Sequence, residues 1–342
     1  MSKVCLAFIF SFTLAISING YCQAQETAKR QTVGRIVEVR DGFTALIDTD
    51  SEIEVLTTGH QWTEGPVWVP ATDDVEAHLL FSDVPKNKMH KWSPKAGHSV
   101  FMDPSGCEVD NGEREQGTNG LMLDSEGRLI ACDHGNRRIY RLEKDGTKTT
   151  LTERYDGKRF NSPNDLVINK KGDIYFTDPP YGLKDESKRE IGFFGVYRLS
   201  VDGTVTLMTK ELERPNGIAL SPDEKTLYVA QSHRPAPIYK AYAIKEDGTT
   251  DNEGKTLFNA TKFAEAGDPG MPDGMCVDVK GNLWATGPGG VLIISPEGKL
   301  LGRIMMGKAT ANCAFGDDGS TLYITSSDRV CRVKTKTKGL GF

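Results

Sequence analysis

Arg214-Pro215-Asn216-Gly217-Ile218-Ala219-Leu220-Ser221-Pro222-Asp223, followed by Leu227-Tyr228-Val229-Ala230, is the stretch that decides the fold. A short amide leads, a glycine follows, and alternating apolar residues run into a turn and a second apolar strand. Period-two alternation marks a half-buried strand, and Ser-Pro-Asp is turn chemistry. The phrase recurs. Upstream it reads Glu64-Gly65-Pro66-Val67-Trp68, Asn119-Gly120-Leu121-Met122-Leu123-Asp124 and Asn164-Asp165-Leu166-Val167-Ile168. Downstream it reads Asp273-Gly274-Met275-Cys276-Val277-Asp278 and Asn312-Cys313-Ala314-Phe315. Successive leading residues lie 55, 45, 52, 57 and 39 positions apart, and an interval of about 50 residues suits propeller blades.

The rest of the unit repeats too. Second strands read Leu79-Leu80-Phe81-Ser82, Leu129-Ile130-Ala131, Ile174-Tyr175-Phe176-Thr177, Leu283-Trp284-Ala285-Thr286 and Leu322-Tyr323-Ile324-Thr325. Third strands such as Val196-Tyr197-Arg198-Leu199 precede hairpin signals at Asp145-Gly146, Asp202-Gly203, Asp247-Gly248 and Glu297-Gly298. Six units of four short antiparallel strands predict an all-β, six-bladed β-propeller with a central metal channel. The last unit has three strands, and Ile53-Glu54-Val55-Leu56 is placed to supply its fourth and close the ring. The propeller is expected over residues 52–336, with a tail at 337–342. Two unrelated β-sandwiches are the competing architecture, which the six-fold register disfavours.

Ahead of the propeller, Lys3 and the apolar run Val4 to Ile18 precede a small residue at Ala24. This pattern reads as a secretory signal over residues 1–24, removed on export to the periplasm or medium. Residues 25–51 form an extension of uncertain role. Nothing in the chain is long and apolar enough for a comfortable membrane span, so stable membrane insertion is not expected. The chain carries 42 Lys and Arg against 47 Asp and Glu, a formal charge of −5. With no basic cluster, that balance argues against nucleic-acid binding. Beyond the leader lie five cysteines, Cys107, Cys132, Cys276, Cys313 and Cys331, with no Cys-x-x-Cys spacing. An odd number cannot all pair, and most fall in apolar strands as small hydrophobes. A disulfide at Cys107 stays open, as does the oligomeric state.

Six blades aim six leading residues at one axis: Glu64, Asn119, Asn164, Asn216, Asp273 and Asn312. Any one Asn-Gly or Asp-Gly is most often only a turn. Their shared place in the repeat makes the set a candidate site. Two carboxylates among amides suit calcium, which accepts hard oxygen ligands, rather than zinc, which favours His and Cys.

The motifs Glu64-Gly65-Pro66-Val67-Trp68, Ser162-Pro163-Asn164-Asp165-Leu166, Phe176-Thr177-Asp178-Pro179-Pro180-Tyr181-Gly182-Leu183, Arg214-Pro215-Asn216-Gly217-Ile218 and Pro272-Asp273-Gly274-Met275 resemble the gluconolactonase / senescence-marker-protein-30 family. Cys132-Asp133-His134-Gly135-Asn136-Arg137-Arg138 resembles its bacterial gluconolactonase-type branch. The resemblance spans roughly Val55 to Val333. It implies one divalent cation, usually calcium, with magnesium, manganese and zinc as alternatives, held by Glu64, Asn164, Asn216 and Asp273. It also implies opening of a small sugar lactone. Asp273 is then the expected general base or nucleophile, and Asn119 a ligand of substrate hydroxyls or a metal water. His134 either assists proton transfer or only packs. Tyr181 either lines the entrance or braces its loop. Animal members place a substrate-contacting arginine where this chain has Ser162, so substrate is held differently here. Two other readings share the fold: a phosphotriesterase-like hydrolase using the same ion, and a non-catalytic binding module. No Gly-x-Ser-x-Gly element or phosphate loop points to serine-esterase or nucleotide chemistry.

Overall fold

The structure is a computed structural model describing residues 31–251 and 253–342; the export signal expected at residues 1–24 lies outside them. Six antiparallel four-stranded sheets follow one another as blades. Their inner strands are Thr63–Val69, Thr118–Leu123, Leu166–Ile168, Pro215–Leu220, Met275–Val277 and Asn312–Gly316. Each runs through two further antiparallel strands to an outer one. The ring closes where Glu54–Thr58 pairs with Arg329–Lys334 and completes the sixth blade. Part of the N-terminal extension also has a place: Arg35–Glu38 pairs antiparallel with Leu300–Met305 as a fifth strand on the fifth blade.

The core is divided among six seams. The described residues form six apolar clusters, and each straddles two neighbouring blades. At the seam between blades three and four, Tyr175 and Val196 meet Ile218, Leu220 and Val229. Across the closure seam Trp68 stacks on Tyr323, ring centroids 5.3 Å apart. A side chain such as Phe81 or Leu227, wholly buried, contributes about 1.5–3 kcal/mol relative to exposure. Second strands are buried on both faces, so Ile174–Asp178 and Leu283–Gly287 are buried at every position rather than at alternate ones.

Polar side chains register one blade on the next. The second strand of a blade carries a hydroxyl near its end, and that hydroxyl reaches the inner strand of its neighbour. Ser82 Oγ donates to the Asn119 carbonyl at 2.9 Å, Thr177 Oγ1 to the Asn216 carbonyl at 2.7 Å, and Thr286 Oγ1 to the Ala311 carbonyl at 2.8 Å. One position further on, a buried acid holds the loop entering its own blade. Asp83 accepts from the Gln61 and Trp62 amides, and Asp178 from the Asn161 and Ser162 amides. The backbone before Glu64 and Asn164 is thereby fixed by side chains of the strand beside it. All five cysteines of the described residues are free thiols; Cys276 and Cys313 lie with sulfurs 3.7 Å apart across a seam.

Candidate active site

Inner strands can approach the axis closely only if the residue after the leading one is small. A Cβ on Gly65 would collide with the Asn119 carbonyl, and one on Gly217 with the Asp273 carbonyl. The glycine of these dipeptides therefore answers to the neighbouring blade, not only to a turn. Blades three and six depart from this pattern with Asp165 and Cys313, and the Asp165 carboxylate fills space beside its neighbour: a Cβ on Gly120 would sit 2.7 Å from Asp165 Oδ1.

Five of the six leading residues, Glu64, Asn119, Asn164, Asn216 and Asp273, line one pocket of about 290 Å³, together with Tyr181. The amides are linked in sequence: Asn119 Nδ2 donates to Asn164 Oδ1 at 3.0 Å, and Asn164 Nδ2 to Asn216 Oδ1 at 2.6 Å. Asn216 in turn hydrogen-bonds the Asp273 carboxyl. Glu64 accepts from the Trp62 indole at 3.2 Å and from the Gly65 amide at 3.3 Å. Asn312 does not line the pocket; its amide reaches Asp165 Oδ2 at 3.5 Å.

Three carboxyls, Glu64, Asp165 and Asp273, lie close enough to repel one another, Glu64 and Asp273 in the pocket wall and Asp165 outside it. Burial, with repulsion from Asp165, pushes Glu64 up to about 8. Burial pushes Asp165 up to about 7. Asp273 is raised well above the carboxylate range by burial, then by Glu64 and Asp165. Crowded anionic oxygens of this kind are relieved by a cation. The residues present fit a hard divalent ion: all donors are oxygens, no His or Cys lines the pocket, and Asn119 Oδ1 is buried without a partner among the described residues.

Around this floor stand residues that the repeat does not contain. The segment before Thr118 and the segment after Asp178 meet at Gly182, whose carbonyl accepts from the Arg114 amide at 3.0 Å and the Glu115 amide at 3.3 Å. Arg114, Glu115, Trp62 and Ser232 join the pocket wall, and none carried a repeat signal that would have singled it out. His134 stands one layer back. It is buried, and its Nδ1 lies 2.9 Å from Glu115 Oε2, so it meets the pocket only through that carboxylate. Tyr181 does line the pocket, with its buried hydroxyl beside Ser232 and Asn216. Ser162 is wholly buried; its hydroxyl donates to the Pro179 carbonyl at 2.6 Å and accepts from the Gly182 amide at 3.0 Å. The residue at the animal arginine position is therefore a brace for the Tyr181 loop, and the pocket's guanidinium comes from Arg114.

Fold and pocket together give a β-propeller with oxygen donors at the pocket floor and a polar, loop-built wall. Residues 62–328 match the SMP-30/gluconolactonase/LRE-like region, and the chain belongs to that family. It is 41% identical to a gluconolactonase of Zymomonas mobilis over 99% of this chain and 97% of that one. A pentonolactonase of Haloferax volcanii is 27% identical over 80% and 84% of the respective chains. Among solved structures, a gluconolactonase of Xanthomonas campestris superposes with a TM-score of 0.76 at 31% identity, covering 89% of this chain and 97% of that one.

Proposed function

We propose that this protein is a metal-dependent lactonase that opens a small sugar lactone in the pocket lined by Glu64, Asn164, Asn216 and Asp273. One observation carries the reading: acids and amides from five blades converge on one buried pocket, where Glu64 and Asp273 resist ionisation unless a cation joins them. The likeness to two sugar lactonases supports the substrate class. Calcium suits the donors best, with magnesium, manganese and zinc as substitutes. When bound, such an ion supplies Lewis-acid polarisation of the lactone carbonyl.

The chain's own groups account for the remaining steps. Asp273 takes a proton from the attacking water, whose oxygen bonds to the carbonyl carbon. The ring C–O bond breaks, and the proton passes to the departing ring oxygen, leaving an open hydroxy acid. Asn119 Oδ1, unpartnered among the described residues, and the Tyr181 hydroxyl are matched to sugar hydroxyls, and Arg114 reaches the pocket from the rim. Glu115 with His134 behind it forms a second proton-handling pair at the wall. The N-terminal pattern at residues 1–24 supports action outside the cytoplasm.

A pH-indicator assay of D-glucono-1,5-lactone opening tests the proposal on purified mature protein. Activity should vanish with a chelator and return with calcium. No rate above spontaneous opening, with calcium bound, would sink the gluconolactone assignment.

A further inference from the structure

A second cluster of metal-ligating side chains lies in the first blade, away from the pocket acids. His60 lies in the linker between the ring-closing strand Glu54–Thr58 and the first inner strand, Thr63–Val69. His90 and His98 sit on the third and fourth strands of the first blade, Lys88–Ser93 and Gly97–Met102. In that pairing Val100 is opposite His90 and His98 is opposite Trp92, which makes the two histidines diagonal neighbours. Diagonal side chains are within reach of each other when they are aromatic.

One ring nitrogen from each of the three lies within 4.8 Å of the other two. The ring centroids form a near-regular triangle, with sides of 4.7, 5.1 and 4.9 Å. His98 Nε2 is 2.9 Å from His90 Nδ1. His60 Nε2 is 3.1 Å from Thr57 Oγ1. Phe81 forms the apolar floor, stacked on His90 at 5.3 Å and edge-on to His60 at 5.1 Å. His60 and His90 are buried while His98 is open to solvent. His90 Nε2 is buried and has no hydrogen-bond partner among the described residues. Such an orphan costs roughly 1–3 kcal/mol when only packing explains it. The surrounding charges are Asp83, whose Oδ2 is 3.8 Å from His60 Nδ1 and 4.0 Å from Lys86 Nζ, together with Lys88. Burial, more than any neighbour, holds His60 and His90 down to about 4, so their rings are neutral and carry free lone pairs at pH 7.

We propose that His60, His90 and His98 form a second, independent metal site for a borderline first-row divalent ion such as zinc, with solvent at its fourth position. Imidazole is the ligand class such ions prefer, and it is not the class calcium takes. Tetrahedral zinc with Zn–N bonds of about 2.0–2.1 Å holds its nitrogens about 3.4 Å apart, so nitrogens that lie within 4.8 Å of one another need to shift by at most about 1.4 Å. Asp83, already fixed by the Gln61 and Trp62 amides, stands where an outer carboxylate orients a ligating ring. The location gives the ion a structural task. It ties the outer hairpin of blade one to the linker leaving the closure strand, which is where the ring is joined end to end. The same linker carries Trp62, the donor to Glu64.

The test is zinc titration of chelator-treated full-length mature protein in millimolar calcium, which saturates the oxygen site. Calorimetry and thermal denaturation are the readouts, so lactone hydrolysis is not involved. One zinc per chain and a raised Tm are expected. In His98→Ala, a change at an exposed position, zinc affinity should fall at least tenfold and the Tm gain should disappear. Cobalt substitution gives a second measurement on the wild type alone: strong visible bands signal four-coordinate imidazole ligation. Zinc binding that is absent in calcium, zinc binding undiminished in a folded His98→Ala, or weak six-coordinate cobalt bands would each overturn the proposal.

Discussion

Thr177 donates its hydroxyl to the backbone carbonyl of Asn216 at 2.7 Å, across the seam between the third and fourth blades. Both residues are buried. A strand of one blade therefore sets the height at which the next blade presents its leading amide. Thr177→Val keeps the shape and removes the donor, leaving a buried carbonyl with less than its full complement of partners. A loss of about 1–2 kcal/mol in urea unfolding is expected, with a larger relative loss of calcium affinity than Thr→Val would cause at an exposed site. An unchanged midpoint and affinity would mean that packing alone holds the seam.

Asp273→Asn preserves volume and the link to Asn216 while removing the basic oxygen. Lactone opening should fall by about 10²–10⁴-fold in kcat. Metal content and the thermal transition, measured on the same sample, separate loss of the base from loss of the ion. Activity within a few-fold of wild type would remove Asp273 from the chemistry.

Gly217→Ala tests the close approach of inner strands. Its new methyl would meet the Asp273 backbone carbonyl, which has no flexible end to move aside. Overpacking of this kind costs about 1–3 kcal/mol, and here the strain also displaces Asp273. Circular dichroism melting should show the destabilisation, and activity should drop with it.

Stability of the metal-free protein should depend on pH in an unusual direction. Glu64 and Asp165 are raised from ordinary carboxyl values to about 8 and about 7. At these two carboxyls the folded state binds more protons than the unfolded one between roughly pH 4 and pH 8, so their contribution falls as pH rises through that window, while the neutral His60 and His90 act in the opposite sense below pH 6.5. Chelated protein should melt higher at pH 5 than at pH 8. Calcium should abolish most of that difference, because the ion favours the ionised carboxylates. Equal melting at both pH values without metal would show that these carboxyls are not crowded as described.

Arg114 is exposed at the pocket rim, so Arg114→Gln should leave the Tm unchanged. Losing its contact with a sugar lactone should raise KM about tenfold, a difference of about 1.4 kcal/mol. A KM unaltered for every lactone tried would assign the guanidinium to the surface alone.

Much of this molecule was legible before any coordinates. The leading residues, the four-strand units and the closure by Glu54–Thr58 all follow from local rules: period-two alternation, turn dipeptides and a fixed repeat. Asp165 acts on the pocket acids by charge repulsion, and its visible signal is a carboxyl where four of its five counterparts have glycine. The hydroxyls of Ser82, Thr177 and Thr286 were likewise in view at one repeat position, but their partners lie on another blade, 25 to 39 residues away in the chain.

Other features had no sequence signal. Arg114 and Glu115 reach the pocket because two loops outside the repeat meet at Gly182, and loop conformation is set by tertiary hydrogen bonds rather than by periodicity. His134 carries a catalytic-looking side chain, yet only the packing around it shows that Glu115 stands between it and the pocket. His60, His90 and His98 have no motif spacing, and a hairpin register together with ring closure brings them together. By itself the sequence determined the blade number, the strand order and the oxygen-rich leading set, because each depends on contacts within one repeat. Tertiary structure alone decided which of those oxygens share one pocket, how far their protons are held, and what surrounds them. Burial and charge repulsion depend on distances between blades, and no local pattern encodes those distances.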